Sequence, residues 1–153
     1  MNLAPGGMRG IVQCPALERC AAMDVGGNQG LQRRLFALRG AVQAEENERG
    51  AIIDATEELM RELIARNSLE AEAMVSCIFT TTADLDAEFP AVAARQLGLN
   101  TVPLLCCREI PVPGSMERVI RVMLHYYAPE DAAPEHVYIG ETQKLRADLN
   151  AAQ

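Results

Sequence analysis

The run Cys106-Cys107-Arg108-Glu109-Ile110-Pro111-Val112-Pro113-Gly114, followed by Arg118-Val119-Ile120-Arg121-Val122-Met123-Leu124, decides how this chain is read. Both halves carry the β-branched, apolar character of strands, and Pro111, Pro113 and Gly114 make the turn between them. Into that strand-like sequence the chain sets one carboxylate and a row of guanidinium groups. Removing an unpaired ion from water costs several kcal/mol or more, so such charges need either a partner or a ligand.

Working outward, Met116 to Tyr127 reads as one long strand, with Val119, Arg121, Met123 and His125 on a single face under period-2 alternation. Upstream, Thr101 to Cys107 is a strand with Pro103 near its start, where a missing donor is tolerated. Met74 to Thr81 is another, with Cys77 as core packing. Between these two, Asp84 is placed to cap a helix beginning near Leu85; Pro90 implies a kink or a restart, and Gly98 ends it. Leu35 to Val42 is the first strand, apolar except for Arg39.

Asn47 is the expected N-cap of a scaffold helix running to about Arg66 and stopped at Asn67, with Ile52, Ile53, Thr56, Leu59, Met60, Leu63 and Ile64 as its apolar stripe. Pro129 to Pro134 reads as a loop. His136 to Ile139 is the last strand, ending at Gly140, and Lys144-Leu145-Arg146 opens a polar tail. Strands alternating with two helices predict an α/β (α+β) fold: a mixed five-stranded sheet packed against two helices. Residues 35–149 form the expected domain, residues 1–34 a flexible leader and residues 150–153 a tail. The leader contains Gly6-Gly7, Gly26-Gly27, Pro5 and Pro15 and has no sustained period. Arg19 and Asp24 interrupt its most apolar part, against a secretory signal; an upstream start or a transit peptide stays open.

A formal net charge of -7 speaks against nucleic acid or an anionic membrane as partner, since both select a basic surface. No apolar run approaches the roughly 18 residues that span a bilayer. Five cysteines without paired CxxC spacing suggest neither a disulfide framework nor a zinc site, and a reducing cytoplasm fits them. The basic residues are thirteen Arg and one Lys, Lys144; genomic composition accounts for such a bias, and so does bidentate recognition of carboxylates.

Nucleophilic catalysis has one offer, Cys106 or Cys107 with His125 or His136, and packing in an apolar strand is the stronger reading of both thiols. The two histidines specify no metal site. What remains is Arg39, Glu109, Arg121, Tyr138 and Arg146, all at strand positions or strand ends. Each alone is compatible with a structural ion pair. As a set they offer three guanidinium groups and a phenol to a small dicarboxylic acid, with Glu109 left to accept from a hydroxyl.

From about Leu38 to Leu149 the chain resembles the monofunctional chorismate mutases of the barrel-like, trimeric class. The resemblance is carried by Leu38-Arg39-Gly40-Ala41, Thr81-Thr82-Ala83-Asp84-Leu85, Phe89-Pro90-Ala91, Val102-Pro103, Cys106 with Glu109, Ile120-Arg121-Val122-Met123, His136-Val137-Tyr138 and Leu145-Arg146-Asp148-Leu149. It implies a homotrimeric pseudo-α/β-barrel with active sites at subunit interfaces, converting chorismate to prephenate in aromatic amino-acid biosynthesis in the cytoplasm without a cofactor.

It also implies that Arg39, Arg121, Tyr138 and Arg146 bind the substrate carboxylates, and that Arg121 donates to the ether oxygen. Glu109 with Cys106 would engage the ring hydroxyl. Phe89, Ala91, Leu104 and Leu105 would line an apolar wall, with Leu145 in the substrate site and Arg95 near its entrance. Two positions depart from the family pattern: Val92 stands where it has a lysine, and Leu105 where it has a threonine. A non-catalytic carboxylate-binding trimer and an imine deaminase of similar architecture are the competing readings, and neither is expected to combine Glu109, Arg121 and Tyr138.

Overall fold

A computed structural model of the protein describes residues 32–146. The expected leader, apart from its last three residues, and the tail lie outside the described residues. Five strands form one mixed sheet: β1 (Arg33–Gln43), β2 (Met74–Thr81), β3 (Leu104–Arg108), β4 (Val119–Pro129) and β5 (Val137–Tyr138), in the order β3-β2-β4-β1-β5. The central strand β4 runs antiparallel to both β1 and β2, while β2–β3 and β1–β5 are parallel. The strand rich in Arg118–Leu124 thus lies in the middle of the sheet, with a neighbour on each side.

Two helices, α1 (Arg49–Asn67) and α2 (Ala91–Gln96), pack on the sheet, and connecting residues such as Leu69, Leu85, Leu99 and Val102 fill in the core. Leu38, Val42, Phe79, Val122 and Leu124 from the sheet cluster with Ile52, Leu59, Met60 and Leu63 of α1 and with Ala91 and Ala94 of α2. The stripe on α1 follows from its apolar spacing. Thr56 is tolerated in it because its hydroxyl donates to the Ile52 carbonyl at 2.7 Å. Helix and sheet approach closely at Gly40, where a Cβ would stand 2.9 Å from Leu59 Cδ1 and 3.1 Å from Leu63 Cδ1 and Val122 Cγ1. A glycine there lets α1 settle onto the sheet.

Several sequence expectations are corrected. Asn47 does not cap α1: Glu48 is the N-cap, and the Asn47 amide accepts from the backbone N–H groups of Asp86 and Ala87 while donating to the Asp86 carboxylate at 2.8 Å. It ties two loops instead of one helix end. The helix expected from Leu85 begins only at Ala91, with Pro90 as its N-cap, so the restart prevails over the kink. Asp84 accepts from the Arg118 backbone N–H at 2.7 Å, which stabilises a turn where Arg118 has φ of 54°. At the C-terminal end of α1 the left-handed residue is Ser68, one past Asn67. The stretch after Gly140 is a 3-10 turn, Gly140–Arg146, secured by Thr142, whose hydroxyl donates to the Ala41 carbonyl at 2.9 Å.

Candidate active site

Strand alternation sends one side chain of each pair to the helices and the next to the opposite face. In β4 the helix side holds Ile120, Val122, Leu124 and Tyr126, all buried. Arg121, Met123 and His125 point the other way, as the period-2 reading expects. Register then decides what Arg121 meets, because directly paired residues share a face. It pairs with Ala41 on β1 and Thr80 on β2, and Ala41 pairs in turn with Tyr138 on β5. One row across four strands therefore carries Thr80, Arg121 and Tyr138, and the next carries Ile78, Met123 and Arg39.

On this face lies a cavity of about 430 Å³, lined by Arg39, Ile78, Thr80, Arg121, Met123, Tyr138, Leu145 and Arg146, together with the backbone around Gly40 and Val122. Residues more than a hundred positions apart converge there because β1 lies between β4 and β5, and the 3-10 turn folds back over Ala41. The Tyr138 hydroxyl is buried and has no hydrogen-bond partner among the described residues. An orphaned buried hydroxyl costs about 1–3 kcal/mol, an expense a ligand oxygen would relieve.

Glu109 follows directly after β3 and is fixed at three points. Its backbone N–H donates to the Thr81 carbonyl at 2.9 Å, Thr80 Oγ1 donates to its Oε1 at 2.6 Å, and Arg121 forms an ion pair with its Oε2. The carboxylate therefore stays beside the cavity with a defined direction. Burial disfavours the Arg121 charge; Tyr138 supports it, and the Arg39 guanidinium again opposes it, so its pKa lies below the ordinary arginine value. That value is so high that Arg121 stays charged throughout the neutral range. A cationic wall kept together against its own repulsion attracts a dianion.

The other expected site residues gather elsewhere. Cys106 pairs with Phe79 and packs against the core on the helix side, where the Ala91 backbone N–H hydrogen-bonds its sulfur and the Arg95 charge acts on it. Leu104 packs on that same side, and Phe89, just before α2, is 67% exposed. Leu105 is exposed on the cavity face of the edge strand β3 but does not reach the cavity, and Val92 lies on α2. One chain thus holds two groups: Arg39, Arg121, Tyr138, Leu145 and Arg146 lining the cavity, with Glu109 paired to Arg121 beside it, and Phe89, Ala91, Arg95 and Cys106 at the α2–β3 edge.

The cysteine–histidine alternative finds no support in the contacts. Burial pushes the Cys77 thiol up to about 12 and also raises Cys106. His125 shares a hydrogen bond of 3.0 Å with Ser76, and His136 accepts one from the Arg39 backbone. Thr80, which holds Glu109, is a position the residue-by-residue reading did not single out: a threonine in a β-branched strand looks like propensity alone. The signal for Thr80 was available only as cross-strand register with Arg121.

Fold and cavity define a small α+β protein whose open sheet face carries a cavity lined by three arginines, a lining suited to a carboxylate-rich ligand. Residues 35–149 match the family described as chorismate mutase type I. The chorismate mutase AroH of Thermus thermophilus is 46% identical over 119 residues, covering 76% of this chain and 97% of that relative. The AroH of Bacillus subtilis is 35% identical over 116 residues, 74% of this chain and 91% of its own length. A solved chorismate mutase from Clostridium thermocellum superposes with a TM-score of 0.68 at 41% identity, covering 71% of this chain and 98% of its own. The chain belongs to the type I chorismate mutases. It is an isomerase of aromatic amino-acid biosynthesis, carrying out the rearrangement of chorismate to prephenate.

Proposed function

We propose that the cavity lined by Arg39, Arg121, Tyr138 and Arg146 is the chorismate site, completed by the α2–β3 edge of a neighbouring copy in a cytoplasmic homotrimer. The observation that carries this is the buried, partnerless Tyr138 hydroxyl inside a ring of three guanidinium groups. The rearrangement is unimolecular and pericyclic, so it calls for neither acid, base nor nucleophile. Arg39, Tyr138 and Arg146 hold the carboxylates and select the compact conformer in which the enolpyruvyl carbon lies over the ring, which removes much of the entropic barrier.

Arg121 acts on charge that builds on the ether oxygen as the C–O bond breaks. Because the guanidinium is already fixed by Glu109, it stabilises that charge without reorganising. Glu109 accepts from the ring hydroxyl, and Thr80 keeps its other oxygen occupied. Leu145 closes over the apolar part of the substrate.

Two features favour assembly. The cavity face leaves Leu35, Leu105, Met123 and Tyr127 between 40% and 56% exposed, and it is the face turned away from α1 and α2. Phe89, Arg95 and Cys106 cannot reach the cavity of their own chain, and a second copy would bring them there. Native mass spectrometry should give three times the 16.6 kDa chain mass. Mixing Arg121→Ala with Arg95→Ala protein should restore chorismate turnover, because some mixed interfaces then carry two intact halves. A monomer that turns over chorismate at full rate would contradict the interface site.

A further inference from the structure

The β1–β5 ladder contains a substitution of side chain for backbone. Gly40 and Ala41 pair with Val137 and Tyr138, but one residue earlier the Arg39 backbone N–H donates to His136 Nδ1, at 3.2 Å. An acceptor role requires Nδ1 to be unprotonated, so the proton of the neutral ring is on Nε2. The chain just before the ring is held as well. Asn67, at the end of α1, accepts from the Glu135 N–H at 2.8 Å and donates to the Glu135 carbonyl at 2.9 Å, which fixes the residue before His136.

We propose that His136 is a positioning residue for chorismate binding: its neutral imidazole holds the backbone of Arg39, and protonation of the ring releases that hold and weakens substrate binding. The charged groups facing the imidazole are Arg39 from β1 and Arg146 from the 3-10 turn, with Tyr138 two residues along the same strand. Glu135 is turned away toward Arg66 of α1. Burial first, then the Arg39 and Arg146 charges, push His136 below the ordinary histidine range, so the ring is neutral at physiological pH. An imidazolium has no acceptor at Nδ1, so the hydrogen bond to the Arg39 backbone is lost, and the charged ring repels the Arg39 and Arg146 guanidiniums from their places.

This rests on Arg39 binding a substrate carboxylate, a contact present in both ground and transition states, so loss of positioning raises KM more than it lowers kcat. His136→Asn places an amide oxygen where Nδ1 was, while His136→Gln places its polar end near the Nε2 position. We expect the Asn variant to keep kcat/KM within about threefold of wild type and the Gln and Ala variants to lose about tenfold or more, mostly in KM. In wild type kcat/KM should decline on the acid side of the ordinary histidine pKa, and that limb should vanish in His136→Asn.

Nitrogen-15 NMR of the two-histidine wild-type chain, with His136→Asn for assignment, should show Nδ1 of His136 unprotonated at neutral pH. A protonated Nδ1, an acid limb that survives in His136→Asn, or equal kcat/KM in the Asn and Gln variants would overturn the proposal. Failure of the substrate-site reading would show separately, as unchanged turnover in Arg121 variants whatever the His136 tautomer.

Discussion

Thr80 Oγ1 donates to Glu109 Oε1 at 2.6 Å, and Thr80 is also the direct cross-strand neighbour of Arg121, the residue that pairs with the other Glu109 oxygen. The carboxylate is thereby held from two strands at once. Thr80→Val keeps shape and strand propensity but removes the donor. We expect kcat to fall about tenfold, the scale of one hydrogen bond to a charged group in a partly exposed site, with little change in Tm. Thr80→Ser should restore most of the rate. Wild-type kinetics in the valine variant would mean that Arg121 alone orients Glu109.

Gly40 lies under α1 with a would-be Cβ only 2.9 Å from Leu59 Cδ1. Its neighbours are fully buried and cannot all move aside. Gly40→Ala should destabilise by about 1–3 kcal/mol through overpacking, read as a lower midpoint in urea. An unchanged midpoint would show that α1 can lift from the sheet without loss.

The rate itself should be nearly independent of pH. No proton moves in a pericyclic step, and an arginine stays protonated throughout the neutral range. We expect kcat to be flat between about pH 6 and 9, whereas a sigmoid centred near neutrality would implicate a titrating base.

Stability, by contrast, should depend on acid through Asp84. Burial opposes its charge, but hydrogen bonds from Thr82 and the Arg118 backbone outweigh this and keep its pKa below the ordinary carboxylate value. A depressed folded-state pKa contributes stability above the unfolded value and loses it as pH falls through the folded one. Asp84→Asn should therefore unfold more easily than wild type at pH 7, and the gap should narrow below about pH 4. A gap that persists unchanged in acid would assign the effect to the amide's geometry and not to charge.

How much of this was legible in the sequence varied with the physics involved. β2 could be read to the residue, because a β-branched, aromatic run has no competing helical period. Strand β4 was legible in its alternation, yet both its faces carry apolar residues, so register, and not pattern, decides which side α1 and α2 cover. Asn47 illustrates the limit of local rules: a good N-cap residue was taken by a tertiary contact with Asp86 and Ala87. The segment before Pro90 has helical composition but serves as the crossing between β2 and α2, and composition does not record that need.

For the site, Arg39, Arg121 and Tyr138 were legible as charges and a phenol out of place in strand sequence, whereas Arg146 belongs to a 3-10 turn that the sequence offered only as a polar tail. Their meeting in one cavity was not legible, since it depends on β1 lying between β4 and β5. The separation of Cys106 from Glu109, three residues apart in sequence, depends on strand parity: Cys106 turns to the core with Phe79, whereas Glu109 lies past the end of β3 and turns to Arg121.

The central claim is that the fixed positive charge of Arg121 meets charge developing in the transition state. The most direct measurement is kcat for chorismate with an uncharged isostere of arginine at position 121, alongside Arg121→Lys. The account predicts a fall of several powers of ten for the isostere, on the scale of about 4 kcal/mol or more of lost stabilisation, with a smaller change in KM. Lysine should rescue it poorly, since a point charge does not reproduce the planar fork. A kcat within about tenfold of wild type in the uncharged variant would contradict the account.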